Sequence, residues 1–175
     1  MDIIQCAGEG YVVTPLRSVP KIGNKEKLIV VQGGDDDINR IALSSKHVDI
    51  LLDPHLGWRR DFMHQRNSGL NHVLCHLAKE NNVAIGFSFS SVLHTKDRAF
   101  VLGRIMQNIR LCRKYKLTIV IGSFAGDPWE IRSEKDLQAF FKVLGMTGKE
   151  VQMHFVEKRL DYKKRFVQKG VMLVH

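Results

Sequence analysis

A parallel α/β fold with about five strands is what this sequence predicts. Short apolar runs recur at residues 28–31, 48–52, 83–89 and 117–121, and each of the first three precedes a stretch with apolar residues at helical spacing. The clearest unit spans 82–123. A buried run leads into a helical pattern at 97–115, where Val101, Leu102, Ile105, Ile109 and Cys112 share one face, and a second buried run follows. Strand, helix, strand at that spacing is a right-handed βαβ crossover, so the four runs are expected side by side and parallel. That count is too low for the usual eight-stranded barrel. The 175 residues allow a single domain, 1–175, with a sizeable core.

The weakest signal comes first, in 1–27. Residues 11–14 can form a strand, and Pro15, Pro20 and Gly23 punctuate the loop after it. After the run at 28–31, Gly33-Gly34 turns the chain and Asp35 is placed to cap a helix, with Asp36 and Asp37 favouring its positive end. The run at 48–52 stops at Asp53-Pro54-His55. A polar loop at 57–67 carries Trp58, Arg59, Arg60 and Arg66. Ser68 stands where it can cap the next helix, whose Leu70, Val73, Leu74, Leu77 and Ala78 are spaced for one buried face. Beyond 117–121 lies a loop at 122–129. Ser133 with Asp136 reads as a capping box for a helix burying Leu137, Phe140, Phe141 and Leu144, stopped by Gly145. Residues 147–175 read as a helical, basic extension with Lys158, Arg159, Lys163, Lys164, Arg165 and Lys169.

Charge narrows the function. Lys and Arg number 27 against 18 Asp and Glu, a net charge of +9, which favours a polyanionic partner, nucleic acid first. The 97–115 helix and its flanks concentrate this with Lys96, Arg98, Arg104, Arg110, Arg113, Lys114 and Lys116 against Asp97. Such a stripe either offers charge to a polyanion or is simply a solvated face. Gln107, Arg110 and Lys114 lie away from Ile105, Ile109 and Cys112 and are expected to face solvent. Arg40, Arg59, Arg60, Arg98 and Arg132 sit in loops or near helix starts, where long cations reach phosphate oxygens. These five, with Arg110 and Lys114, are the candidate RNA-binding residues. Trp58 beside Arg59-Arg60, and Trp129 before Arg132, fit either stacking on bases or core packing.

Other chemistry has thinner support. His72 and His76 have the i, i+4 spacing of a helix zinc pair, but no Glu follows the first and no third ligand is evident. Asp53, His55, His94 and Asp127 contain the elements of a metal-dependent phosphoesterase centre, yet nothing in their spacing brings them together. Gly33-Gly34-Asp35 matches neither the P-loop nor the dinucleotide fingerprint, and its acidic run repels phosphate. There is no nucleophile elbow. No catalytic residue, metal ligand or cofactor site is assigned. Cys6, Cys75 and Cys112 are odd in number and scattered, which fits a reducing cytoplasm. No apolar run approaches membrane-spanning length and no signal peptide is visible, so a cytoplasmic protein without a membrane partner is expected.

An ordered series of short segments carries a family resemblance. It runs through Gly33-Gly34-Asp35, Ile38-Asn39-Arg40, Val48-Asp49-Ile50-Leu51, Gly69-Leu70-Asn71-His72-Val73-Leu74 and Asn82-Val83-Ala84-Ile85-Gly86-Phe87-Ser88. It then continues through Trp129-Glu130-Ile131-Arg132-Ser133, Asp136-Leu137 and Leu144-Gly145-Met146. Over residues 28–146 the chain resembles the protein-component-3 family of archaeal ribonuclease P. The resemblance implies a TIM-barrel-like fold related to the PHP phosphoesterases, and a role in removing 5′ leaders from precursor tRNA. It implies that the RNA component carries the reaction centre and its magnesium, and that this chain binds ribonuclease P RNA and precursor tRNA without a catalytic residue of its own. It further implies pairing with a small ferredoxin-like protein subunit in a heterotetramer. The alternative is a PHP-type metal-dependent phosphoesterase, but the opening His-x-His of that class is absent. The chain departs from the family pattern where two βα units usually precede the position of Tyr11. The loop at 57–67 is longer, and Glu130 and Glu134 stand where Asp and Pro are common. An incomplete barrel is therefore expected, with the strand at 28–31 or at Val12 as an exposed edge.

Overall fold

The computed structural model describes residues 2–6, 9–24, 26–57, 60–151, 155–168 and 171–172. Trp58, Arg59 and Lys169 lie outside the described residues. The chain begins with β1 (Ile3–Ile4), β2 (Tyr11–Val12), β3 (Val30–Gln32), α1 (Asp36–Ser44), β4 (Ile50–Leu52) and α2 (His72–Glu80). It continues through β5 (Ala84–Ser88), α3 (Phe89–His94), α4 (Arg98–Tyr115), β6 (Ile119–Gly122), a 3-10 turn (Pro128–Glu130) and α5 (Glu134–Val143). Last come α6 (Phe155–Arg165) and the antiparallel pair β7 (Phe166–Gln168) and β8 (Val171–Met172).

As the sequence predicts, β3, β4, β5 and β6 are neighbours in that order and all parallel. Register explains why the runs are apolar throughout rather than alternating. Val31, Leu51, Ile85 and Ile119 form one row facing the helices, where Leu43, Leu74, Cys75, Ile105, Ile109 and Phe141 meet them. Val30, Ile50 and Ala84, with Leu52 and Val120, face the other way into a second, smaller core with Ile3, Val13, Phe124 and Val156. A sheet covered on both faces has no polar side to show. Each fully buried Val, Leu or Ile contributes roughly 1.5–3 kcal/mol. The inner core is narrow: a Cβ on Gly86 would lie 2.8 Å from Ile50 Cγ2.

Four strands and their helices form part of a TIM-barrel-like wall, as an incomplete barrel requires. Of the two edges expected to be exposed, the one at β3 is covered, whereas Val12 on β2 is 55% exposed on a strand that, among the described residues, pairs only with β1. Phe124 N–H donates to the Ile3 carbonyl at 2.7 Å, and Gln5 N–H donates to Ala125 at 3.0 Å. Next, β1 pairs in parallel with β2. Leu16 then bridges Val31: its N–H donates to the Val30 carbonyl, and Gln32 N–H donates back to it, both at 2.8 Å. Residues 2–6 and 9–16 thus span the gap between β6 and β3. Unpaired strand edges cost hydrogen bonds wherever water is excluded, and this short segment is enough to supply them.

The opposite side is closed by α6, whose Val156 is buried in the inner core with Phe155 and Leu160 packed against it. Its cations turn inward. Arg159 Nε donates to Asp49 Oδ1 at 2.9 Å, Lys163 Nζ bonds the other Asp49 oxygen, and Ile29 N–H donates to that oxygen at 2.7 Å. Two members of the basic extension therefore hold the fold together.

Helix starts follow local chemistry. Asp35 caps α1 through the N–H groups of Asp37 and Ile38, and Ser133 caps α5 through Asp136 N–H. At α2 the cap is Asn71, which accepts from Leu74 N–H at 2.9 Å, rather than Ser68. Ser68 is buried and its polar groups are engaged by α4.

Candidate nucleic-acid interface

The loop leading into α2 is organised by one carboxylate. Asp61 accepts from Arg104 Nε and Nη2 at 3.1 and 3.0 Å, from Asn67 N–H at 3.0 Å, and from Arg66 Nη1 at 3.3 Å. Burial works to raise its pKa, but the Asn67 N–H and the Arg104 guanidinium outweigh it and hold the carboxyl below its usual range. Arg104 is buried in this contact, so one cation of the expected stripe points into the protein. Gln107 is also drawn in, correcting its expected solvent orientation. It donates to the Arg66 carbonyl at 2.9 Å and to Ser68 Oγ at 3.1 Å. A second cation of the stripe, Arg113, pairs with Glu150 at 2.7 Å and holds that carboxyl down at about 2.

Asn39 joins the loops above the sheet. Its Oδ1 accepts from Gly34 N–H, and its Nδ2 donates to the carbonyls of Pro54 and Gly69 at 3.1 and 3.2 Å. Gly69, at φ +76°, has room only for hydrogen here: a Cβ would sit 1.9 Å from the Pro54 oxygen. These contacts seat the 60–71 loop between α1, α2 and α4. The result is a groove of about 640 Å³ whose walls include Arg40, Phe62, Arg66, His72, Lys114 and Tyr115. A second cavity, about 440 Å³, opens beyond the C-terminal ends of the strands and includes His55, Arg60, Phe100 and Arg104.

The candidate cations scatter over these surfaces. Arg40 and Lys114 share the groove, and Arg110 lies one turn before Lys114 on α4, exposed like both of them. Among the described residues neither Arg40 nor Arg110 has a carboxylate partner. Arg60 is exposed at the second cavity. Arg98 opens α4 and donates to the Leu93 carbonyl at 3.2 Å. Arg132 is half-buried: it donates to the Trp129 and Ile131 carbonyls and lies 5.7 Å from the Phe89 ring centre. Arg59 lies outside the described residues. Trp129 is 90% exposed, so it packs in no core.

Several of the residues weighed for metal chemistry have partners within the protein. Asp53 is buried at the end of β4, with φ +48°, and accepts from Ser88 N–H at 2.9 Å and from the Ser88 hydroxyl. Burial pushes its pKa up to about 7 against the pull of those hydrogen bonds. His94 Nε2 lies 2.6 Å from Glu130 Oε1. His72 and His76 are exposed on α2, and the His76 ring sits edge-on to Tyr115 at 5.1 Å. Among the described residues no three His, Cys, Asp or Glu side chains are gathered as a metal ion requires. Burial raises the thiol of Cys75 to about 11 and that of Cys112 further, so neither is a nucleophile at neutral pH. No helix of the described residues is long and apolar enough to cross a membrane.

The roles of Asn39, Asp61 and Arg104 are invisible to motif reading. The one available signal was an Asp in a loop otherwise rich in Arg.

Comparison with known proteins places these features in a lineage. Residues 13–158 match the family described as RNase P subunit p30. The chain is 32% identical to ribonuclease P protein component 3 of Methanococcus maripaludis strain S2, over 90% of this chain and 66% of that protein. It is 33% identical to the same component of Methanococcus vannielii, over 89% of this chain and 65% of that one. A chain in the cryo-EM structure of archaeal ribonuclease P with mature tRNA superposes with a TM-score of 0.68 at 30% identity, covering 83% of this chain and 61% of that chain. This chain thus spans somewhat under two thirds of the length of these relatives.

Proposed function

The chain belongs to the RNase P subunit p30 family, and from that premise we propose that it is a protein subunit of ribonuclease P, supporting removal of 5′ leaders from precursor tRNA. In this reading it binds and stabilises the catalytic RNA and contributes no catalytic residue. Magnesium belongs to the RNA, and this chain holds no metal or cofactor of its own. The observation that carries the reading is the set of exposed cations on α1 and α4, Arg40, Arg110 and Lys114. Fixed cations replace counterions along RNA phosphates without reading sequence. Arg60, Arg98 and Arg132 extend the same role over the loops above the sheet, and Arg59 belongs with them by sequence. The net charge of +9 supports an RNA partner. The family relation supports a small ferredoxin-like protein partner in a heterotetramer, and a cytoplasmic location.

Reconstitution tests this. Ribonuclease P RNA and the remaining protein subunits are assembled with and without this chain, and precursor-tRNA cleavage is followed across a magnesium series. The chain is expected to lower the magnesium requirement, and Arg110→Ala with Lys114→Ala to reverse part of that gain. Identical cleavage with and without the chain would sink the proposal.

A further inference from the structure

Two large apolar side chains stand out on the loop that Asp61 holds. Phe62 is 60% exposed and Met63 is 93% exposed. The loop beneath them is nonetheless tied down. Phe62 N–H donates to the Gln65 carbonyl at 2.9 Å, and Asp61 and Asn67 anchor the two flanks. A ring held out in water adds little to the stability of the fold. Because its loop is already ordered, a ligand that covers it meets little further entropic cost.

What surrounds Phe62 indicates the ligand. It lines the groove between α1, α2 and α4 together with Arg40, Arg66, Lys114 and Tyr115. Aromatic rings beside cations are the combination that holds unpaired nucleic acid, since bases stack on the rings while phosphates meet the cations. A double helix keeps its bases stacked on each other and has no free base face for Phe62. Asp36 and Asp37 also border the groove and repel phosphate, which confines the backbone to the part lined by Arg40, Arg66 and Lys114. The groove's volume of about 640 Å³ falls within the usual range of ligand sites.

We infer that this groove takes an unpaired segment of RNA, with Phe62 as its stacking platform and Arg40 and Lys114 as its phosphate contacts. The inference rests on the RNA-subunit reading and adds the kind of RNA and the place where it lies. It separates two kinds of contact on one surface: a salt-sensitive one through the cations and a salt-insensitive one through the ring.

The test uses the full chain, a labelled single-stranded oligoribonucleotide of mixed sequence, and a duplex with the same number of phosphates. Anisotropy is read over a salt series. The single strand is expected to bind several-fold tighter than the duplex. Phe62→Ala is expected to weaken single-strand binding roughly ten-fold and leave the salt slope and duplex binding unchanged. Phe62→Trp is expected to restore it. Arg40→Ala and Lys114→Ala are each expected to reduce the slope by about one. Equal affinity for single strand and duplex, or wild-type affinity in Phe62→Ala, would overturn the inference. So would unchanged RNA affinity in Phe62→Ala accompanied by lost pairing with a protein subunit, which would make the ring a protein contact. Phe62→Ala in the cleavage reconstitution keeps the two readings apart. If the chain still supports cleavage while the variant binds single strands normally, only the groove assignment falls. If omitting the chain changes nothing, the subunit reading falls.

Discussion

Asp49 and Asp53 bracket β4, each about 1% exposed, and the protein treats them in opposite ways. At the start of the strand, Asp49 is enclosed by Arg159, Lys163 and the Ile29 N–H. At its end, Asp53 has hydrogen bonds from Ser88 and no cation partner among the described residues, and burial lifts its pKa to about 7. The lower end of the barrel thus uses its cations to neutralise a buried carboxylate and close a core. The helix side of the molecule leaves Arg40, Arg110 and Lys114 in solvent. A count of basic residues cannot distinguish these uses; only the position of the carboxylates does.

The largest way to break the comparison is Asp49→Ala. It leaves Arg159 and Lys163 facing a core without their counter-charge, a change that typically costs about 3–5 kcal/mol. Urea unfolding should show it as a lower midpoint, and a loss under about 1 kcal/mol would mean that α6 is not clasped there.

Second comes the pH response of Asp53. Between about pH 4 and 7 the folded chain keeps a proton that the unfolded chain has released. Stability from this group is therefore complete at low pH, falls as pH rises through about 7, and levels off above it. The total is on the order of 4 kcal/mol. Asp53→Asn, which stays neutral and suits the left-handed backbone of this position, should remove that component from the stability–pH profile. Parallel profiles for the variant and the natural sequence would contradict the neutral state.

Third, Arg104→Met should cost about 2 kcal/mol, because Asp61 loses its charged hydrogen bonds in a half-buried loop. Hydrogen exchange at residues 61–67 should quicken with it; unchanged exchange would show that the loop is held by other contacts.

The smallest effect on folding belongs to Arg110→Ala with Lys114→Ala, within about 0.5 kcal/mol. The pair should nevertheless lower the salt slope of RNA binding by about two. An unaltered slope would remove α4 from the interface.

Much of the fold was legible because burial on both faces writes continuous apolar runs, as at 48–52 and 83–89, and because Asp35 and Ser133 act locally. What escaped reading depends on distant partners. Asp49 meets Arg159 and Lys163 more than a hundred residues away, at separations of 110 and 114. Arg104 reads as one more cation of a basic helix until Asp61, 43 residues earlier, is seen beside it. The same applies to the strand edge. Leu16 covers β3 through two backbone bonds, which no side-chain pattern announces. Arg110 and Lys114 could be placed off the apolar face by helical periodicity, which failed for Gln107, and Arg40 by its position near a helix start.

The segment spanning the gap also sets a clock on biosynthesis. Asp2 accepts from Ser123 N–H across 121 residues, and Ile3 joins the inner core with Phe124. At about 5–20 residues per second, residues 2–16 wait many seconds after leaving the ribosome before the strand they join has been made. Throughout that interval Ile3 and Ile4, both buried in the finished protein, lack the partners that residues 120–125 supply. Translation speed between residues 16 and 125 therefore governs how long this end of the chain waits for its partners.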